Sequence, residues 1–382
     1  MIVSRNSFIP SFIPSFIPPF IPPSILDARM CAFRKHTMNT KTAISLTVSL
    51  ATALTLNAHV VAQDGTLVEN TPVIAPPMTA DATADATPSP EAAKSMEAAK
   101  SDIKYVVAGG FMHFFDADFD TGGGAVAVDR GFGSVSLSGK PSDNYRWGLS
   151  INWEGSWYSF ADGGELVTAA MGKPWSAVQS LLIAPGATFK LDERWNLKTT
   201  LLVQFAGEND ADVGDSATFG GIVAASYSFD KDFLLGAGAL VMSRLEHDAL
   251  IVPQILIDWK PCKEFRVTNF AGPEAFPGGA GLEGIWVLSE NYELAFGGRF
   301  TYRRFRLDDS GSSTRANGVG TDQGLPIWLR ATMRADCGAR IDLVGGIQVA
   351  SEMRLDDSAG NELTRVDVEP NPFLGIFMSY RY

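Results

Sequence analysis

The stretch YRWGLSINWEGSW, residues 145–157, decides the fold. Tyr145, Trp147, Leu149, Ile151, Trp153 and Trp157 share one parity and make an apolar, aromatic face. Arg146, Ser150, Asn152, Glu154 and Ser156 make the other. A period of two is the signature of a β-strand with differently solvated faces. Reading outward from this segment, the same alternation recurs over residues 195–205, 292–302, 341–353 and 373–382. It is weaker near 179–189, 217–229, 233–241, 251–259, 281–288 and 325–333, and faintest near 105–115 and 124–137.

The connections between these segments alternate in length. Short ones fall at 190–194, 230–232, 260–263, 289–291 and 335–339, and long ones at 207–216, 243–250, 271–279, 308–323 and 356–371. A meander whose two ends face different compartments produces this rhythm, with tight turns on one side of a membrane and longer loops on the other. Aromatics bracket the short turns, as in Phe189 and Trp195, Phe229 and Phe233, Trp259 and Phe265, and Trp286 and Tyr292. Amphipathic rings belong at a bilayer interface. The pattern predicts an all-β fold, a closed antiparallel up-and-down transmembrane β-barrel of about 14 strands, with 12 to 16 allowed. A soluble sandwich or propeller also alternates, but gives no reason for the turn-length rhythm.

That barrel is expected over residues 103–382. Ahead of it, residues 1–37 contain the degenerate repeat SFIPSFIPSFIPPFIPP at 7–23, where Pro blocks both helix and ladder, and read as a low-complexity tail or a mis-assigned start. Residues 38–62 read as a signal peptide. Lys41 supplies the positive end, Ala43–Leu56 an apolar run, and Val60-Val61-Ala62 the cleavage site. Residues 63–102 are rich in Ala, Pro, Thr and acids, and read as a disordered spacer.

The chain carries 31 Lys plus Arg against 43 Asp plus Glu, a net charge of −12, which argues against a nucleic-acid partner. Three cysteines are too few for a disulfide scaffold or a Cys₄ zinc site, and no cofactor is expected. Nothing points to an enzyme. Beyond the leader the histidines are His113, in an aromatic stretch, and His247, between Glu246 and Asp248, with no G-x-S-x-G nucleophile signal nearby. Asp116, Asp118 and Asp120 have the spacing of a calcium loop, but Thr121 stands where that loop needs Gly. Arg-Leu-Asp-Asp-Ser occurs at 306–310 and 354–358, each time opening a long loop. Cys262 and Cys337 fall in separate short turns, too far apart around a rim to bond.

The polar face is the expected seat of function. Arg146, Glu154, Lys198, Asp258, Glu283, Glu293, Arg299, Arg330, Arg340, Asp342 and Glu352 would be costly in lipid and are expected to line a lumen. Arg303, Arg304 and Arg306 cluster at one strand end, where a pore mouth is expected.

The signal peptide ending at Ala62, together with the last strand Phe373–Tyr382, resembles a bacterial outer-membrane β-barrel. Met378, Tyr380 and the terminal Tyr382 match the alternating, aromatic-ended strand that the barrel-assembly machinery reads, although a terminal Phe is commoner than Tyr. Within that class, residues 103–382 are similar to a family of barrels known only as a domain of unknown function. The resemblance implies export to the outer membrane and contact with its lipid and lipopolysaccharide; it implies no substrate. A porin-like channel for passive passage of small solutes is the expected function. A non-conducting structural or adhesion barrel is the alternative.

Overall fold

The computed structural model describes residues 103–161, 164–245, 249–269, 281–310, 312 and 314–381. The tail, signal peptide and spacer expected over 1–102, and also His247 and Tyr382, lie outside the described residues.

The strands run in chain order as β1 (Lys104–Asp118), β2 (Ala125–Ser142), β3 (Tyr145–Ala161), β4 (Ala177–Lys190), β5 (Trp195–Glu208), β6 (Ala217–Ser228), β7 (Phe233–Ser243) and β8 (Ala249–Cys262). They continue as β9 (Phe265–Thr268), β10 (Gly281–Val287), β11 (Tyr292–Arg299), β12 (Thr301–Arg306), β13 (Val319–Arg334), β14 (Ala339–Asp356), β15 (Glu362–Val368) and β16 (Asn371–Arg381). One short helix, α1 (Gly164–Ala170), sits between β3 and β4.

These 16 segments form 14 barrel strands. β11 and β12 pair in succession along β13, and β16 and β15 pair in succession along β14, so each couple is one interrupted strand. Neighbours are antiparallel throughout the wall, and β1 closes on β16 from Val106↔Arg381 to Phe114↔Phe373. Pairing of β1 with β16 joins the first and last strands, so neither presents the free edge that hydrocarbon would not tolerate. The faint segments at 105–115 and 124–137 are full strands, β1 and β2.

Short turns cluster at the end that also holds Lys104 and Arg381. Asp192 builds one of them, accepting the backbone N–H of Arg194 and of Trp195 at 2.7 Å each. The bonds from Trp195 and Arg194 hold its carboxyl below the usual carboxylate range. Asp230 repeats the arrangement with Asp232 and Phe233. Gly338, at φ 89°, turns the chain where a Cβ would stand 2.7 Å from the Arg381 carbonyl oxygen.

The outer face is apolar. Leu329 is 67% exposed, Leu201 66%, Leu374 59% and Leu343 57%. Around the turns lie aromatic pairs, Tyr145 with Phe189, Trp195 with Tyr227, Phe229 with Phe233, and Phe265 with Trp286, at ring distances of 4.7–5.4 Å. An apolar exterior edged by rings on a closed antiparallel wall is the architecture of an outer-membrane β-barrel.

Along the barrel axis this polarity reverses. β14 has 18 residues, about 60 Å of strand, more than a membrane band of about 25 Å needs even when tilted. The excess protrudes at the long-loop end. There the inward side chains are the apolar ones, Phe114, Val126, Val128 and Tyr158, while Asp116 and Asp118 face out. The expectation of a wet interior along the whole barrel is therefore corrected: outside the membrane the wall faces water, and its inside is a dry core.

Candidate functional site

The lumen has two unlike halves, separated by an inward fold of the chain. After Arg299 the eleventh strand leaves the wall. Its continuation β12 still pairs with β13, but it crosses to the opposite wall, where Arg306 meets Gly207 of β5. Thus 301–306, although in line with β11 along β13, turns into the lumen, and the segment expected as one loop over 308–323 already re-enters the sheet at Val319. Likewise the 356–371 loop contains β15.

At the long-loop end this fold is buried in a plug. Trp175 packs edge-on against Phe160, Tyr158 and Phe305 at 5.4–5.8 Å, with Leu166 of α1, Leu307 and Leu355 around it. Trp175, Leu166, Leu307 and Leu355 are all fully buried. The segment following β12 is pinned by Arg315, which donates to Asp308 at 2.6 Å, to the Pro174 carbonyl at 2.7 Å, and to the carboxylate of Glu208. The first Arg-Leu-Asp-Asp-Ser copy belongs to this plug: Arg306 bonds the Asn317 carbonyl at 2.8 Å. The second has a separate use, Arg354 pairing with Asp356 at 2.5 Å. Arg303, Arg304 and Arg306 are thus half-buried or buried in packed structure and do not ring an open mouth.

Beneath the plug runs an ionic network across the barrel. Arg130 of β2 donates to Asp322 of β13 at 2.6 Å and to Ser156 at 2.9 Å, and Tyr158 donates to the same Asp322 oxygen at 2.7 Å. Arg303 of β12 donates to Glu154 of β3, which also lies 3.5 Å from Arg130. Arg130 and Asp322 are 1% and 2% exposed. β12 and β13 are thereby tied across the lumen to β3 and β2.

The turn-end half is polar and open. A cavity of about 520 Å³ lies at its mouth, lined by Phe233, Leu234, Asp258 and Lys260 among others. Among the residues expected to line a lumen, several meet in ion pairs. Glu283 accepts from Arg330 at 2.5 Å and from the Trp328 indole at 3.0 Å. Asp342 accepts from Arg330 at 3.2 Å and from Arg340 at 2.9 Å. Glu293 pairs with Arg334 at 3.0 Å, and Asp258 with Arg266 at 2.6 Å. Arg299 lies over the Trp328 ring at 5.9 Å. Arg146 and Lys198 are exposed and have no ion-pair or hydrogen-bond partner among the described residues.

Glu352 departs from the expectation. Ala350, at φ 49°, breaks the alternation, so that Met353 and Leu355 enter the core. Glu352 then shares the opposite face with Arg354, accepting from Gln323 at 3.0 Å and forming an ion pair with Arg365 at 3.6 Å. A one-residue offset in a strand exchanges its faces.

The remaining candidates carry no chemistry here. His113 pairs with Asp129 at 2.8 Å on the outward face beside Phe115. No group of three or more metal-ligating side chains occurs among the described residues, the Asp116–Asp120 run included. Cys262 and Cys337 are free thiols. Arg130 and Asp322 were not legible as a pair, since Asp322 lies in a stretch that reads as loop.

No family model and no curated protein matches this chain. Among solved structures, an outer-membrane channel from Pseudomonas putida F1 is similar over 74% of this chain and 96% of its own, at 10% identity and a TM-score of 0.42. The P. putida toluene transporter TodX is similar over 74% and 90%, at 9% identity and a TM-score of 0.36. The NanC porin is similar over 72% and 98%, at 8% identity and a TM-score of 0.31.

Proposed function

We propose that this barrel is an outer-membrane channel for passive movement of small solutes, closed in the present state at its long-loop end. The observation that carries this reading is the turn-end lumen: an open, charged interior in which Arg146 and Lys198 face water. A barrel used only as a wall has no need of a hydrated interior, and unpaired charges favour packing least. The ionic network between Arg130, Asp322, Glu154 and Arg303 is where the closed end would release, because it holds the inward fold to β2 and β3.

A second reading is favoured by the plug itself. Trp175, Phe305 and Leu355 make a dry core of the kind that holds a structural or adhesion barrel permanently shut. In either case Met378 and Tyr380, exposed on the lipid face of β16, serve as the proposed assembly signal.

Single-channel recording in a planar bilayer separates the two. Discrete conductance steps from the folded protein, more frequent when the network is cut, support the channel. Silence of both forms after verified insertion overturns it and leaves the structural barrel.

A further inference from the structure

The unpaired luminal cations form a row. Arg146 of β3 stands opposite Thr188 of β4, and Thr188 stands opposite Lys198 of β5. Their chain neighbours Tyr145 and Phe189 stack on the lipid side, and Trp195 packs on Tyr227 there, so Arg146, Thr188 and Lys198 share the inward face. At about 4.8 Å per strand, the two cationic residues are separated by about 10 Å with a hydroxyl between them.

The acids within reach are committed elsewhere. Glu283, Asp342, Glu293, Asp258 and Glu154 are each paired with an arginine. At the rim, Asp143 is held by Lys140 at 2.7 Å and Asp192 by backbone N–H groups of its own turn. Arg146 and Lys198 thus stand as unpaired luminal cations in a chain whose net charge is −12.

We infer that Arg146, Thr188 and Lys198 form a luminal site for an oxyanion, the carboxylate or phosphate group of a small solute. Arg and Lys supply only donors, and the Thr hydroxyl between them adds a third, so the row matches an acceptor-only anionic group. The inference rests on the channel reading for its physiological meaning, but the site itself does not require conduction.

The test uses the full-length mature protein folded in detergent, with the Arg146→Gln/Lys198→Gln double variant and, as control, Lys173→Gln, a change at an exposed position of the long-loop end. Heat-modifiable gel migration confirms that each is folded. Calorimetric titration at low ionic strength with citrate and with pyrophosphate distinguishes a carboxylate from a phosphate preference. The expected result is binding of at least one probe by the protein and by Lys173→Gln, and its loss in the double variant. In planar bilayers under a salt gradient, the anion-to-cation permeability ratio is expected to fall about threefold per charge removed. Binding unchanged in the double variant, or absent from the unmodified protein, overturns the site even if the channel conducts. Binding that depends on the row in a protein that never conducts upholds the site and overturns the channel.

Discussion

Arg130 and Asp322, 192 residues apart in the chain, meet at 2.6 Å inside the barrel, both almost completely buried. The contact joins β2 across the lumen to β13, the wall strand on which the inward β12 is paired, so its strength bears on whether the barrel can open. Around it the guanidinium also donates to Ser156 and lies 3.5 Å from the Glu154 carboxylate, and the Tyr158 hydroxyl donates to the Asp322 carboxylate.

Removing one partner of a buried pair strands the other. Asp322→Ala leaves the Arg130 guanidinium buried without its main counter-charge and is expected to destabilise the closed form by about 3–5 kcal/mol. Equilibrium unfolding in urea from lipid vesicles measures this loss. Bilayer recording of the same variant is expected to show more frequent openings. Arg303→Gln, at a more exposed pair, is expected to have a smaller effect on stability.

Trp175 is the centre of the plug. Trp175→Ala removes a fully buried ring from the edge-on cluster with Tyr158, Phe160 and Phe305 and is expected to cost about 3–5 kcal/mol. Limited proteolysis from the long-loop side reads the consequence, with faster cleavage in the 307–318 segment while the membrane-embedded strands stay protected.

The lipid face sets a different rule. Leu329 lies midway along the apolar run of β13 and is 67% exposed. Leu329→Arg is expected to cost about 2–4 kcal/mol in a bilayer, because the charge sits at mid-membrane. Glu362→Arg, beyond the apolar run at the start of β15, is expected to cost far less. Refolding into vesicles followed by denaturant titration compares the two; equal penalties would contradict the assigned membrane band.

Asp192 predicts a pH dependence at the turn end. Its native pKa lies below the unfolded value because Trp195 and Arg194 donate to the carboxylate. Its contribution is complete above the unfolded value of about 3.9 and is lost as the pH falls through the native one. Amide exchange at Arg194 and Trp195 is expected to quicken below about pH 4, corrected for intrinsic rates. Asp192→Ala is expected to show the quicker exchange already at neutral pH.

Much of this architecture is legible from residue parity. Tyr145–Trp157 is already a strand with a greasy and a wet face, and the aromatic pairs flanking short turns already place those turns along one membrane edge. Such features are local: they depend on which side chains alternate and how many residues separate the strands. Lys198 and Arg146 were accordingly visible as inward candidates, though not as members of one row, which required the registers Arg146↔Thr188 and Thr188↔Lys198.

Residue alternation along the chain specifies a meander of strands, because lipid outside and water inside impose a two-residue period on any wall between them. That the outer half is filled follows from packing between distant segments. The residues that fill it, Trp175, Phe305, Leu307 and Asp322, come from connections and strand ends where no period constrains them. Ala350 decided the position of Glu352 in the same way, since a single offset reverses every side chain beyond it and leaves no mark in composition. Which charges meet across a lumen is a property of closure, and closure brings together residues that the chain keeps far apart.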